Sequence, residues 1–425
     1  MNILVIGGGG REHAIIKKLK EDPRAEKIFA LPGNGGIAAD AVCLGGSATD
    51  IPAVLAAARE NQIDFVVVAP DDPLVLGMVD ALEAEGFPCF GPRKSAAIIE
   101  GSKAFSKDLM KKYGIPTAAY ETFTDMEAAL AYVDACPLPA VVKADGLALG
   151  KGVLICETRE AAREAVRSMM EGRMFGDSGA TVVIEEFLTG PEVSVLSFTD
   201  GETVVPMVSS MDHKRALDGD EGLNTGGMGT IAPNPYYTPE IAAACMEKIF
   251  LPTIRAMKAE GRPFKGCLYF GLMLTPGGPK VIEYNCRFGD PETQVVLPLL
   301  ESSLLEIMLA VSEGRLAETE VKFSSKSACC VILASKGYPQ KYEKGFPITL
   351  PETAADERIY IAGAARKDGK LVTSGGRVLG AVAVAEDLPA AIGKAYDLAK
   401  HIHFDNAFCR QDIGQRALRA PKEKK

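Results

Sequence analysis

The segment Lys280–Glu292 concentrates polar chemistry in an otherwise apolar stretch of this chain. In an extended backbone Glu283 and Asn285 stand two residues apart and face the same side. A carboxylate and an amide carbonyl are hard oxygen donors, suited to a Mg²⁺ ion that bridges nucleotide phosphates. Arg287 keeps the same parity and is placed to meet a transferring phosphoryl group. Gly289, Asp290, Pro291 and Glu292 then form a turn with two more carboxylates. Packing alone does not explain polar residues along one face of an apolar strand. The alternative is an exposed edge strand carrying surface ion pairs.

A second segment, Lys143–Val153, sets Lys143 and Lys151 around Gly146, Gly150 and Gly152 between two apolar runs. Such a loop can fold over a triphosphate, its lysines offsetting the charge and its glycines allowing closure. It is not a Walker A loop, because Gly152 stands where Ser or Thr would follow Lys151. A β-hairpin with surface lysines is the alternative, although Lys143 ends an apolar strand where an unpaired ammonium is expensive to bury. Glu185, Glu186, Phe187 and Leu188 leave a buried strand toward Gly190, Pro191 and Glu192. A strand exit of this kind can offer backbone groups to an adenine edge and a carboxylate to ribose, or be merely an acidic exit. Asp212–Arg215 and Asn224–Gly229 frame a glycine-rich loop able to bind a carboxylate or phosphate, a composition also common in surface loops. Gly7–Gly10 follow a strand and lead into a helix, which suits phosphate approach or a tight turn alone. Glu12 or His13 replaces the last glycine of a dinucleotide fingerprint. The histidines have no metal-ligand spacing.

The elements that must position these groups follow from periodicity. Ile3–Ile6 and Phe65–Ala69 read as buried strands, with helices starting near Glu12 and over 78–85, so the first hundred residues predict a doubly wound parallel sheet. A helix from Ser102–Lys103 to Tyr113 is stopped by Gly114 and Pro116. Residues to about 190 form an α+β module with strands at 140–143 and 181–186. Residues 193–198, 268–274 and 280–284 read as strands of one larger sheet. A β-rich unit follows, with strands at 328–334, 359–362 and 378–384 and a helix over 390–400. The predicted units are 1–101, 102–325 with 120–190 as a mobile lid, and 326–425, an α/β and α+β multidomain chain.

The chain has 425 residues, 47% hydrophobic and 24% charged, with a net charge of −9 that argues against a nucleic-acid surface. Its ten cysteines include no C-x-x-C pair, which excludes a zinc site or disulfide framework of the usual spacing. No apolar stretch reaches the ~18 residues of a membrane span, and the opening residues lack a basic, cleavable leader. A cytoplasmic location, with no membrane or nucleic-acid partner, is expected.

Taken in order, these pieces resemble the ATP-grasp superfamily and, within it, the phosphoribosylamine–glycine ligase family. The resemblance runs through Arg11–His13, Pro32–Asn34, Gly91–Pro92, Glu100–Lys103, Lys143–Gly152, Asp212–Lys214, Asn224–Gly229, Glu283–Glu292, Gly375–Arg377 and Cys409–Gly414. It implies a central ATP-grasp fold of two α+β modules, and an enzyme that phosphorylates glycine with ATP and joins it to 5-phosphoribosylamine. By family pattern Glu283 and Asn285 would hold Mg²⁺ or Mn²⁺, and Lys103, Lys143, Gly146, Gly150, Lys151 and Gly152 would meet the ATP phosphates. Glu186, Phe187, Leu188 and Glu192 would hold adenosine. Arg287, Lys214 and Asp290 would be catalytic. Gly8, Gly9, Asn34, Asp212, Asn224, Gly226, Gly227 and Met228 would bind the glycine and phosphoribosylamine substrates, and a monomer is expected. The chain departs from the family pattern at Asp71, where Glu is usual, and at Leu223, where Pro is common. A related carboxylase, a non-catalytic nucleotide sensor and a nicotinamide oxidoreductase are the rival readings. They lack, respectively, the Asp-His-Lys plus Asn-Thr-Gly-Gly-Met-Gly combination, a reason to retain Glu283, Asn285 and Arg287, and an intact fingerprint.

Overall fold

A computed structural model describes residues 1–147, 152–171 and 179–420. The N-terminal strands Asn2–Gly7, Lys27–Pro32, Val42–Cys43, Phe65–Val68 and Cys89–Phe90 form one parallel sheet, with Asn2–Gly7 at its centre. Alternate residues of the apolar runs feed opposite faces: Leu4, Ile6, Val66 and Val68 enter one core, Ile3, Val5, Phe65 and Val67 another. A strand buried on both faces needs no polar alternation, which is why these runs are continuous. Helices Gly10–Leu19, Ile51–Glu60 and Met78–Ala84 occupy the crossovers.

Helix Lys103–Tyr113 is capped by Ser102, whose Oγ accepts from Phe105 N at 3.0 Å, and ends at Gly114 with φ +68°. It leads into a four-stranded antiparallel sheet in the order Tyr120–Phe123, Val182–Glu186, Ala140–Ala144, Val153–Cys156. Helices Met126–Ala135 and Arg159–Met170 cover this sheet, and the module has a core of its own built on Leu130, Val142, Val166 and Ile184. A second antiparallel sheet runs Val204–Pro206, Glu192–Thr199, Gly266–Thr275, Gly278–Asn285. Its last strand is an edge, covered in part by a bridge from Thr117 to Val281.

The C-terminal sheet holds the expected strands as Ser327–Ser335, Glu357–Ile361 and Arg377–Ala385, backed by helix Leu388–Lys400. It also takes in Gly229–Ala232, paired directly to Ser327–Ser335, and Met211–Asp212 beyond it. Both ends of the glycine-rich loop are therefore rooted in this sheet, although they precede it by about a hundred residues of chain. Among the described residues no helix is long and apolar enough to cross a membrane.

Candidate active site

The strand Gly278–Asn285 carries a bulge: Gly271 and Leu272 oppose Glu283 and Val281, leaving Ile282 as the extra residue. Beyond the bulge the pairing is regular, with Glu283 opposite Gly271 and Asn285 opposite Tyr269. Glu283, Asn285 and Arg287 all line one cavity of about 440 Å³. Lys103 and Lys143 enter it from the helix start and the strand Ala140–Ala144, and Lys214 from the loop after Met211–Asp212. Lys214 Nζ stands 3.4 Å from Glu283 Oε1. Burial pushes the Glu283 carboxyl up, but Lys214, Lys143, Lys103 and Arg287 outweigh it and hold the group at about 2. The Glu283 charge in turn lifts Lys214 well above the usual lysine value, against the effect of burial. This is a preorganised field: a carboxylate ringed by ammonium groups, which can accept a divalent ion on one side and polyphosphate charge on the other. Among the described residues no three His, Cys, Asp or Glu side chains converge as a metal cage. Two protein oxygens are what a Mg²⁺ or Mn²⁺ site needs when phosphates and water complete its shell, so the donor set fits.

Arg287 is fixed from behind. Its Nη2 lies 3.1 Å from Glu100 Oε1 and 3.6 Å from Asp71 Oδ2, while Cys286 N donates to Glu100 Oε2 at 2.7 Å. Burial opposes the guanidinium charge, yet Glu100 and Asp71 keep it firmly protonated. Its Nε is buried and has no hydrogen-bond partner among the described residues. The shorter Asp71 thus faces Arg287 across the longer of the two gaps.

Of the other expected site residues, Asp290, Gly146, Gly152, Glu186, Phe187, Leu188, Glu192, Asp212, Asn224 and Gly226 line the same cavity. Gly150 and Lys151 lie outside the described residues. The start of the glycine loop is tied to the start of helix Lys103–Tyr113: Asp145 accepts from Ala104 N at 3.1 Å and from Ser102 Oγ at 3.2 Å, and Lys103 Nζ donates to Gly146 O. Glu186 pairs with Lys280 at 2.9 Å at the rim, and the apolar side chains of Val141, Val153, Ile155, Leu188, Met273 and Ile282 wall the same end. Apolar side chains beside a rim carboxylate suit a nucleoside.

Gly8, Gly9, Asn34, Gly227 and Met228 stand off the cavity lining. Gly9 N donates to Glu12 Oε2 at 2.6 Å, closing the helix start, and a Cβ on Gly9 would sit 3.4 Å from Asp290 Oδ2, so this loop abuts the cavity wall. The Asn34 amide is fully used: Nδ2 donates to Gly8 O at 2.9 Å and Ile361 O at 2.8 Å, and Oδ1 accepts from Gly36 N and Ile37 N. It fastens the N-terminal loops to the C-terminal sheet. Met228 is fully buried, supporting the loop from below. Gly227 has φ +116°, and a Cβ there would meet Pro291 Cδ at 2.4 Å and Asp212 Oδ1 at 2.6 Å. Only glycine allows the two loops to touch. Arg377, which the resemblance left without a role, donates to Gly226 O and Asp290 O at 2.8 Å each.

Sequence reasoning missed Glu100 and Lys107 as site-supporting residues. Lys107 carried a usable signal, four residues after Lys103 on the same helical face; Glu100 stands in a segment that carries the resemblance, but its pairing with the distant Arg287 had no local signal.

Comparison with known proteins agrees with this geometry. Residues 1–100, 101–293 and 328–416 match the family descriptions "Phosphoribosylglycinamide synthetase, N domain", "ATP-grasp (A) domain" and "C domain". The phosphoribosylamine–glycine ligases of Haemophilus influenzae and Vibrio vulnificus are each 48% identical over the full length of both chains. The crystal structure of phosphoribosylamine–glycine ligase from Thermotoga maritima superimposes with a TM-score of 0.86 at 37% identity, over 97% of this chain and 100% of that one. A biotin carboxylase from Campylobacter jejuni shares the fold alone, with a TM-score of 0.76 at 17% identity, over 96% of this chain and 92% of that one.

Proposed function

The chain belongs to the phosphoribosylglycinamide synthetase family, and on that premise we propose which of its residues carry the family's reaction. It is an ATP-dependent ligase that joins glycine to 5-phosphoribosylamine in purine biosynthesis, giving glycinamide ribonucleotide, ADP and phosphate. In the proposed course a glycine carboxylate oxygen attacks the γ-phosphorus of ATP, and ADP leaves. The amine nitrogen then attacks the acyl carbon of glycyl phosphate; the C–O bond breaks, phosphate leaves and the amine loses a proton.

Lys103 and Lys143 steady the ATP phosphates, with Gly146, Gly150, Lys151 and Gly152 as further ATP-binding residues. Glu186, Phe187, Leu188 and Glu192 hold adenosine. Glu283 and Asn285 are the ligands for Mg²⁺ or Mn²⁺, which neutralises phosphate charge when bound. Arg287 and Lys214 stabilise charge on the transferring phosphoryl group, and Asp290 orients the groups around it. The loop Asn224–Gly229 with Asp212 receives glycine, Gly226 and Asn224 facing it and Gly227 and Met228 shaping it. Gly8 and Gly9 approach phosphoribosylamine from the Asp290 side, with Asn34 holding that loop. An acyl phosphate hydrolyses if water enters, so exclusion of water matters as much as positioning.

Residues 120–190 are the mobile lid module of the 102–325 unit, with 1–101 before that unit and 326–425 after it; the module's separate core supports this. We take the enzyme to act as a monomer. A cytoplasmic location accords with the small soluble substrates.

The observation that carries the reading is Glu283 and Asn285 facing Lys103, Lys143 and Lys214 in one cavity. The test is ADP release with phosphoribosylamine generated in situ, omitting glycine or the amine in turn. Turnover that needs both, and is lost in Arg287→Ala, supports the roles. ADP release indifferent to glycine sinks them.

A further inference from the structure

The assigned roles leave Lys107, a buried cation, unused. Lys107 is 2% exposed, and its Nζ lies 3.0 Å from Glu185 Oε2 and donates to Thr117 Oγ1 at 2.7 Å. Thr117 Oγ1 donates onward to Val281 O at 2.7 Å. The other oxygen of the same carboxylate, Glu185 Oε1, is 3.0 Å from Lys143 Nζ, which also reaches Ile282 O at 3.3 Å. Glu185 and Lys143 are themselves 5% and 4% exposed. The network joins helix Lys103–Tyr113, two strands of the lid sheet and the strand bearing Glu283.

Two ammonium groups share one carboxylate, so the cluster holds one positive charge more than it needs for its own neutrality. A buried carboxylate left with a single cation binds it tightly, because an unpaired charge in that setting is costly. With only Lys143 present, Glu185 would hold it more tightly than at the 3.0 Å pairing seen here. With Lys107 also in place, held by Thr117 at 2.7 Å, the carboxylate has a second cation and Lys143 retains charge and donors for a ligand.

We propose that Lys107 is a positioning residue that neutralises Glu185 and thereby frees Lys143 to engage the phosphates of a nucleoside triphosphate. This rests on the reading of the cavity as an ATP site.

The test compares Lys107→Met with the double variant Lys107→Met/Glu185→Gln in steady-state ADP release, varying ATP and glycine separately. The single variant is expected to raise the ATP KM about tenfold, a modest loss of binding, with the glycine KM within about twofold. In the double variant no carboxylate captures Lys143, and the ATP KM returns to within about threefold of the parent. An ATP KM unchanged in the single variant overturns the proposal. So does a loss of stability with both KM values disturbed that the double variant leaves in place, since that is a packing role. The parent enzyme is assayed alongside for its need of glycine and amine. If that need is absent the ligase roles fail, while the ATP comparison still judges Lys107.

Discussion

Glu100→Gln is expected to disable the enzyme while leaving nucleotide binding largely intact. At 3.1 Å and an effective dielectric near 20, the Glu100–Arg287 attraction is about 5 kcal/mol, and Asp71 at 3.6 Å adds slightly less. The net worth is smaller, because burial pushes the Glu100 carboxyl up while Arg287 pulls it down, and the upward push prevails. Asp71 remains to neutralise the guanidinium, so the stability loss should be about 2 kcal/mol, below the usual range for breaking a buried pair. The activity loss should be larger. The carbonyl of the introduced amide can keep the bond from Cys286 N, which turns its NH₂ toward Arg287, donor against donor. Arg287 then shifts toward Asp71, and a displacement of about 1 Å at a reacting centre costs about 100-fold in kcat. The assay is ADP release at saturating glycine and amine, with ATP varied, alongside a urea unfolding curve. A kcat within about threefold of the parent, with the stability loss observed, would show that Arg287 needs no carboxylate to aim it, and the reasoning would fall.

Three further outcomes are expected. Gly227→Ala places a methyl 2.4 Å from Pro291 and forces a left-handed backbone, a strain of about 1–3 kcal/mol. It should raise the glycine KM about tenfold or more with a small change for ATP, read from initial rates; equal effects on both would remove the loop from the glycine site. Glu283→Gln should raise the Mg²⁺ concentration for half-maximal rate by at least the ~10-fold that loss of an outer-sphere partner brings, and a chelator should abolish ADP release until Mg²⁺ or Mn²⁺ is restored. His213 accepts from Gly414 N at Nε2 and lies 3.0 Å from Gly229 O at Nδ1, and burial lowers its pKa to about 4. A histidine depressed in the folded state binds its proton more readily when unfolded. Its contribution is therefore present above the ordinary value of about 6.5 and is lost as pH falls toward 4. The full shift corresponds to about 3 kcal/mol. Urea midpoints should fall between pH 7 and 5, and His213→Gln should flatten that slope.

The same-side placement of Glu283 and Asn285 was legible because side-chain parity holds wherever a strand is regular, and the bulge at Ile282 falls before Glu283 rather than between Glu283 and Asn285. Helix Lys103–Tyr113 was legible from a serine cap and a glycine stop, both local. The N-terminal sheet was legible because strands covered on both faces become continuous apolar runs. Other features depend on contacts across the fold. Nothing near Glu100 announces its partner Arg287, and nothing near Asn34 announces its bond to Ile361 O. Met211–Asp212 and Gly229–Ala232 are too short to carry a period, so their membership in the C-terminal sheet had no signal in the sequence.

That membership has a bearing on how this enzyme can be cut or recombined. A boundary drawn after residue 325 separates Gly229–Ala232 from its neighbour Ser327–Ser335 and strips Arg377 from the carbonyls it holds. The last hundred residues therefore cannot be traded between relatives as a cassette. A chimera should work only if it imports residues 211–232 together with them, and split halves expressed separately should regain activity only when co-folded.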